Sequence, residues 1–174
     1  MGNINGYFKQ QDIKDFNSNP FNIIGKDWML VTAGNFDKIN TMTASWGGLG
    51  VLWAKNVTFT FIRPQRFTKE FVDTEETYSL CFFDQSYKKA LAYLGEVSGR
   101  DENKIEKAGL TPMFLDNTPC FEEANMVIIC KILYHQVQEA SSFIDGEFDK
   151  KMYPSKDYHT MYVSEIEKIY IKER

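Results

Sequence analysis

The sequence predicts a mostly β protein with short helices, folded as a closed or nearly closed barrel. Strand-like segments recur at short spacing, and only two or three short stretches carry helical periodicity. The regular strand–helix alternation that a doubly wound parallel sheet needs is missing. No repeat, low-complexity tract or linker interrupts the 174 residues, so 1–174 is expected to be a single domain, large enough to bury a core without disulfides or metals.

The elements follow in order. Trp28 to Thr32 is a short apolar strand, closed by a turn from Gly34 to Asn40, after which Thr41 to Trp46 reads as a second strand. Val57, Phe59 and Phe61 alternate with Thr58 and Thr60, the period-two pattern of a half-buried strand. Tyr78 to Phe83, the β-branched run Ala124 to Val137 and the closing stretch His159 to Ile171 are further strands. Phe67 to Thr74 makes a short helix after the Arg63-Pro64 turn. Tyr87, Leu91 and Leu94 fall at helical spacing behind Asp84 or Ser86 as caps, and Asp101 caps a third helix that stops at Gly109.

Composition narrows the partners. With 43% hydrophobic and 25% charged residues the chain has the balance of a soluble globule. A net charge of −4 without a long basic run argues against nucleic acid. Cys81, Cys120 and Cys130 form no CxxC pair and no Cys/His metal spacing. Two of them sit in apolar runs as buried thiols, so neither a metal site nor a disulfide framework is expected. The start is not that of a signal peptide, Gly6 breaks the myristoylation pattern, and apolar runs such as Met126 to Cys130 are too short to cross a bilayer. Asn56-Val57-Thr58 is then a chance glycosylation match. The expectation is a cytoplasmic protein with no membrane partner.

Three segments can carry chemistry. In Thr41 to Gly50, a strand edge with two threonines and a serine opens into a loop of three glycines, where backbone N–H groups can approach a planar or anionic ligand. A plain turn fits that pattern equally well. The spacing is neither a dinucleotide fingerprint nor a P-loop nor a nucleophile elbow. In Arg63-Pro64-Gln65-Arg66-Phe67-Thr68-Lys69, two guanidiniums, a hydroxyl and a helix start can hold a phosphate monoester; a solvated charged turn is the alternative. Ser98 to Lys104 offers another small-residue turn with Arg100 and Lys104, which on its own also reads as a loop joining helices.

Together, and with the tail Asp157 to Ile166, these segments resemble the flavin reductase-like family of FMN-binding split barrels, which includes the flavoredoxins. The resemblance covers nearly the whole chain. It implies an FMN-binding split β-barrel with Greek-key-like connections, in which Thr43, Ala44, Ser45, Trp46 and Gly47 line the isoalloxazine and ribityl side of FMN. It further implies that Arg63, Arg66 and Thr68 hold the phosphate, helped by Ser98, Gly99, Arg100 and Lys104. Asn56, Asn103 and Ser164 depart from the family pattern of proline, acid and glycine. His135 reads as a surface or satisfied strand residue. His159 lies in the family-like tail and is the candidate for proton transfer, because an unperturbed histidine titrates near neutrality.

The leading expectation is an enzyme passing hydride from NADH or NADPH to FMN and electrons onward to a redox partner. Its alternatives are a non-enzymatic flavoredoxin-type electron carrier and a cofactor-free barrel that serves as an interaction module. A homodimer with FMN at its interface is implied by the resemblance. It is also suggested by Trp46, Leu49, Val51, Leu52 and Trp53, apolar residues crowded into a glycine loop where solvated ones are expected.

Overall fold

The computed structural model describes residues 7–173. Its main sheet is antiparallel throughout and consists of β1 (Phe8–Gln11), β2 (Met29–Gly34), β3 (Ile39–Ala44), β4 (Gly47–Leu52), β5 (Lys55–Ile62), β6 (Thr77–Phe82), β9 (Met126–Val137) and β10 (Thr160–Lys172). The order is β3-β2-β6-β9-β10-β5-β4, with β1 also on β10. A two-stranded hairpin of β7 (Pro112–Leu115) and β8 (Thr118–Phe121) stands apart. The terminal strands β3 and β4 are consecutive in the chain yet share no ladder, so the barrel is split between them. Strand β10 holds it together: its first half pairs β5, its last residues pair β1, and its other edge follows β9 with two register shifts that bend the sheet.

Alternation along the strands makes two cores. Val31, Leu80, Ile128 and Tyr162 point into the curve of the sheet. Their neighbours Leu30, Cys81, Val127 and Ile129 point outward, beneath α2 (Lys88–Glu96), α3 (Lys104–Lys107) and the β7–β8 hairpin. All three cysteines are free and buried, and burial pushes Cys81 up to about 11 and Cys130 up to about 12.

Several expectations are corrected. The glycine-rich stretch is strand β4, and the connection to β5 is the two-residue turn Trp53-Ala54, both with left-handed φ of 52° and 57°. The Gly34–Asn40 turn shrinks to residues 35–38, since β2 runs through Gly34 and β3 starts at Ile39. Helix α3 begins at Lys104, with the Asn103 side chain rather than Asp101 accepting from the Glu106 N–H. The alternation in β5 has a polarity that its composition hides: Thr58, Thr60 and Ile62 are fully buried, whereas Phe59 and Phe61 are half-buried. The threonines turn inward because the buried Tyr78 hydroxyl needs partners. It lies 2.9 Å from the Thr60 hydroxyl, 3.0 Å from that of Ser164 and 3.3 Å from that of Thr58, so its one proton is donated to one of them and its oxygen can accept from the others. Strands β1, β7 and β8 and helix α4 (Gly146–Met152) had no counterpart in the sequence reading.

Candidate functional site

The split in the barrel is the site. Thr43 and Ala44 end β3, Ser45 and Trp46 cross to β4, and Phe61 on β5, Arg63, Arg66 and His159 complete a cavity of about 260 Å³. Arg63 leaves the end of β5, while Arg66 is the residue preceding α1 (Phe67–Thr74). The Trp46 ring lies 5.2 Å from His159 and the Phe61 ring meets it edge-on at 6.4 Å, so aromatic rings as well as cations line the cavity.

Each cation is partly engaged. Arg63 is paired with Asp157 and donates through Nη2 to the Met152 carbonyl at 3.0 Å, while Gln65 reaches the same Asp157 oxygen at 2.7 Å. Arg66 donates through Nη1 to the Gly95 carbonyl at the end of α2. These bonds leave most of the ten guanidinium N–H donors of the pair uncommitted, about five per arginine. The two charges also repel one another. Burial and then the Arg63 charge lower the Arg66 pKa, and the Arg63 and Arg66 charges both push His159 down. An anion between them would relieve that repulsion, so the donor set fits a phosphate.

The structure brings Thr43, Ala44, Ser45, Trp46, Arg63, Arg66 and His159 to one cavity. Gly47 adjoins it, but a Cβ there would sit 2.8 Å from the Phe59 carbonyl oxygen. Thr68, Ser98, Gly99, Arg100 and Lys104 do not line this cavity. Thr68 is buried and accepts a hydrogen bond from Asn40 at 2.9 Å. The Ser98 hydroxyl accepts from the Arg100 N–H at 3.2 Å. Arg100 is paired with Glu70, and Gly99, Arg100 and Lys104 line a separate depression of about 310 Å³. The Lys104 ammonium is buried and donates to the Leu94 and Val97 carbonyls, both at 2.9 Å, satisfying the end of α2; burial and Arg66 bring its pKa down to about 8. Thr43 likewise spends its hydroxyl proton on the Leu91 carbonyl. Sequence reasoning missed Phe61 and Asp157, and it missed Asn40, which touches both Thr68 and Gly99. Asp157 meets Arg63 across 94 residues, a pairing no local pattern announces.

His159 does not titrate near neutrality. Burial, followed by the Arg63 charge, pushes it down to about 4, so the ring is neutral at physiological pH. The Tyr153 hydroxyl donates to Gln138 at 2.8 Å, which assigns the proton between Tyr153 and His159 to Nδ1, again at 2.8 Å, and leaves Nε2 as an acceptor. Stability follows from this. The ordinary value is 6.5, so the unfolded chain binds the extra proton between pH 6.5 and 4. The contribution of the neutral ring is complete above that window and is lost as pH falls through it. Urea denaturation is expected to show the protein losing about 2 kcal/mol between pH 7 and pH 5 through this group, and His159→Gln removing most of that loss. The paired carboxylates Asp149 and Asp157 are held below 3.8 and lose their contribution only in stronger acid.

A split antiparallel barrel whose mouth gathers two guanidiniums and the Trp46 and Phe61 rings has room and donors for a flat molecule that carries an anionic group. The profile of the flavin reductase like domain matches residues 23–174, and the chain belongs to that family. No curated protein matches it in sequence. Among solved structures it is similar to the flavoredoxin of Desulfovibrio vulgaris (Miyazaki F), with 21% identity over 84% of this chain and 69% of that one, at a TM-score of 0.65. It is also similar to an FMN-binding domain of a flavin reductases-like enzyme from Shewanella baltica OS155, with 13% identity over 94% of this chain and 76% of that one, at a TM-score of 0.68. A third is the NADH:FAD oxidoreductase SgcE6 of Streptomyces globisporus C-1027, with 13% identity over 84% of this chain and 78% of that one, at a TM-score of 0.61. These likenesses establish the fold as the split barrel of flavin reductase-like proteins. Among the described residues no helix is long and apolar enough to cross a membrane, and no group of three or more His, Cys, Asp or Glu could hold a metal ion.

Proposed function

We propose that the chain binds FMN in the split of the barrel and works as an NAD(P)H-dependent oxidoreductase of the flavin reductase-like family. The observation that carries the reading is the meeting of Arg63 and Arg66, like charges with uncommitted donors, beside the Trp46 and Phe61 rings. In this reading Arg63 and Arg66 hold the phosphate. Thr43, Ala44, Ser45 and Trp46, with the adjoining Gly47, face the ring and ribityl chain. Thr68, Ser98, Gly99, Arg100 and Lys104 support that site indirectly, through Asn40 and the end of α2. Bound FMN supplies the hydride and electron exchange; the protein supplies orientation and electrostatics. His159 offers its neutral Nε2 as a hydrogen-bond acceptor at the cavity edge. Three buried, unpaired thiols suit the reducing cytoplasm we propose as its compartment.

The test is stopped-flow mixing of the FMN-loaded protein with NADH and with NADPH, followed by flavin absorbance. Bleaching by either at a saturable rate supports the reductase. Bleaching by neither, with reversible reduction by a protein donor, favours the electron carrier.

We further propose a homodimer built on the β4–β5 hairpin. Trp53 sits at the hairpin tip in a left-handed conformation that bulky residues avoid; it is 57% exposed, next to Val51 at 73%, and packs edge-on against exposed Tyr134 at 6.0 Å. Replacing Trp53-Ala54 by Asn-Gly, the pair such a turn favours, is expected to keep or raise stability while light scattering reports a monomer. A dimer retained in that variant would refute the interface.

A further inference from the structure

Strands β9 and β10 form a hairpin whose ladder ends at Val137 and Thr160, and residues 138–159 leave the sheet between them. The Gln138 N–H closes the neck of this excursion on the His159 carbonyl at 2.9 Å, and α4 lies within it. The excursion is bonded chiefly to itself. Asp149 accepts from Lys156 at 2.6 Å and from Tyr158 at 2.8 Å, and the Tyr153 ring lies 5.7 Å from that of Phe143 and 4.9 Å from that of Tyr158. Among the described residues, the side-chain hydrogen bonds that tie it to the body of the barrel come from Arg63 and Gln65. Arg63 pairs with Asp157 through Nη1 and donates through Nη2 to the Met152 carbonyl at 3.0 Å, while Gln65 donates to the same Asp157 oxygen at 2.7 Å. Elsewhere the contact is loose: Phe148 and Met152 of the excursion and Trp46 and Phe61 of the barrel border an open space of about 380 Å³. The latch is Arg63, which also lines the cationic cavity.

We propose that Asp157 is a built-in stand-in for the ligand's anion: it occupies Arg63 and holds the excursion down, and a phosphate taken up by Arg63 and Arg66 displaces it and frees the excursion. The phosphate seat rests on the function proposed above. Asp157 is an anion at neutral pH, since the hydrogen bonds from Arg63 and then from Gln65 hold its carboxyl below the usual carboxylate range. Its place is incompletely satisfied. Both donors converge on Oδ2, and Oδ1 is buried with no hydrogen-bond partner among the described residues. A carboxylate kept for structure alone is expected to have both oxygens paired. A phosphate monoester brings close to two negative charges to the same guanidinium, and like charges a few ångströms apart oppose one another. Asp157 bonds Arg63 alone, whereas a phosphate in the cavity has Arg66 as well, so the exchange favours the phosphate. The coupling is reciprocal: whatever weakens the latch strengthens phosphate binding.

The test follows amide hydrogen exchange across residues 139–152, with phosphate affinity measured by isothermal calorimetry. In the unsubstituted protein, saturating inorganic phosphate is expected to speed exchange there at least about fivefold over sodium chloride of equal ionic strength. Asp157→Asn keeps the shape and an acceptor for Arg63 but removes the charge. It should exchange fast without phosphate, respond no further, and bind both phosphate and FMN at least about fivefold more tightly. Absence of saturable phosphate binding, or exchange that slows or stays unchanged when phosphate binds, overturns the proposal. So does weaker phosphate binding by Asp157→Asn, which would make Asp157 a positioning residue for Arg63 instead of a competitor for it. If phosphate frees the excursion while FMN binds no better than riboflavin, the latch stands and the FMN reading falls.

Discussion

Replacing Arg66 by Met is expected to weaken FMN binding about ten- to a hundredfold while leaving riboflavin affinity within about twofold. Arg66 commits one N–H to the Gly95 carbonyl and presents the rest of its guanidinium to the cavity, beside a second cation that already lowers its pKa. A phosphate there gains charge-assisted bonds of about 1.5–3 kcal/mol each and relieves the repulsion, whereas riboflavin has nothing to place there. Quenching of flavin fluorescence measures both affinities. Arg66→Lys should recover part of the loss, since it keeps the charge without the fork. An equal loss for both flavins would mean that the substitution damages the wall rather than removing a phosphate contact.

Gly47→Val is expected to lower Tm by about 5 °C and to abolish flavin binding, while Gly48→Val leaves both close to the parent protein. The two glycines are neighbours on β4 with different surroundings. A Cβ on Gly47 would lie 2.8 Å from the backbone oxygen of Phe59, which the ladder to β5 holds in place; Met29 Cε, at 3.2 Å, is the end of a flexible side chain and can move aside. At Gly48 the nearest atom is a Phe59 ring carbon at 3.7 Å, an ordinary contact. The clash at Gly47 falls beside the split, so it displaces Trp46 and the end of β5 together. Thermal melts and flavin occupancy of both variants check this. A flavin-loaded Gly47→Val protein with unchanged Tm would contradict this packing.

What could be read from the sequence followed from local physics. β-branched and aromatic runs marked β6, β9 and β10, and the 3.6-residue spacing of Tyr87, Leu91 and Leu94 marked the helix that became α2. Strand β4 was hidden because three glycines and an exposed edge contradict strand propensity, and its pairing with β5 is tertiary. The β7–β8 hairpin did leave a signal, Asp116-Asn117 between apolar residues, both with positive φ. Helix α4 left only its cap, Asp145, which accepts from the Glu147 and Phe148 N–H groups, with a single apolar turn too short to show a period. At the site, the order of the motifs marked the segments but not their division of labour. Lys104 reads as a free cation along the chain; only the fold reveals that it is buried on the carbonyls ending α2. The exposure of Phe59 and Phe61 likewise depends on Tyr78, a hydroxyl on a different strand.

In the function proposed above, FMN is recognised through its phosphate at the Arg63–Arg66 mouth of the split barrel. The most direct measurement is a side-by-side fluorescence titration of the unsubstituted protein with FMN and riboflavin. FMN is expected to bind at least about tenfold tighter, with the preference shrinking as inorganic phosphate is added. Equal affinity for the two flavins would contradict it.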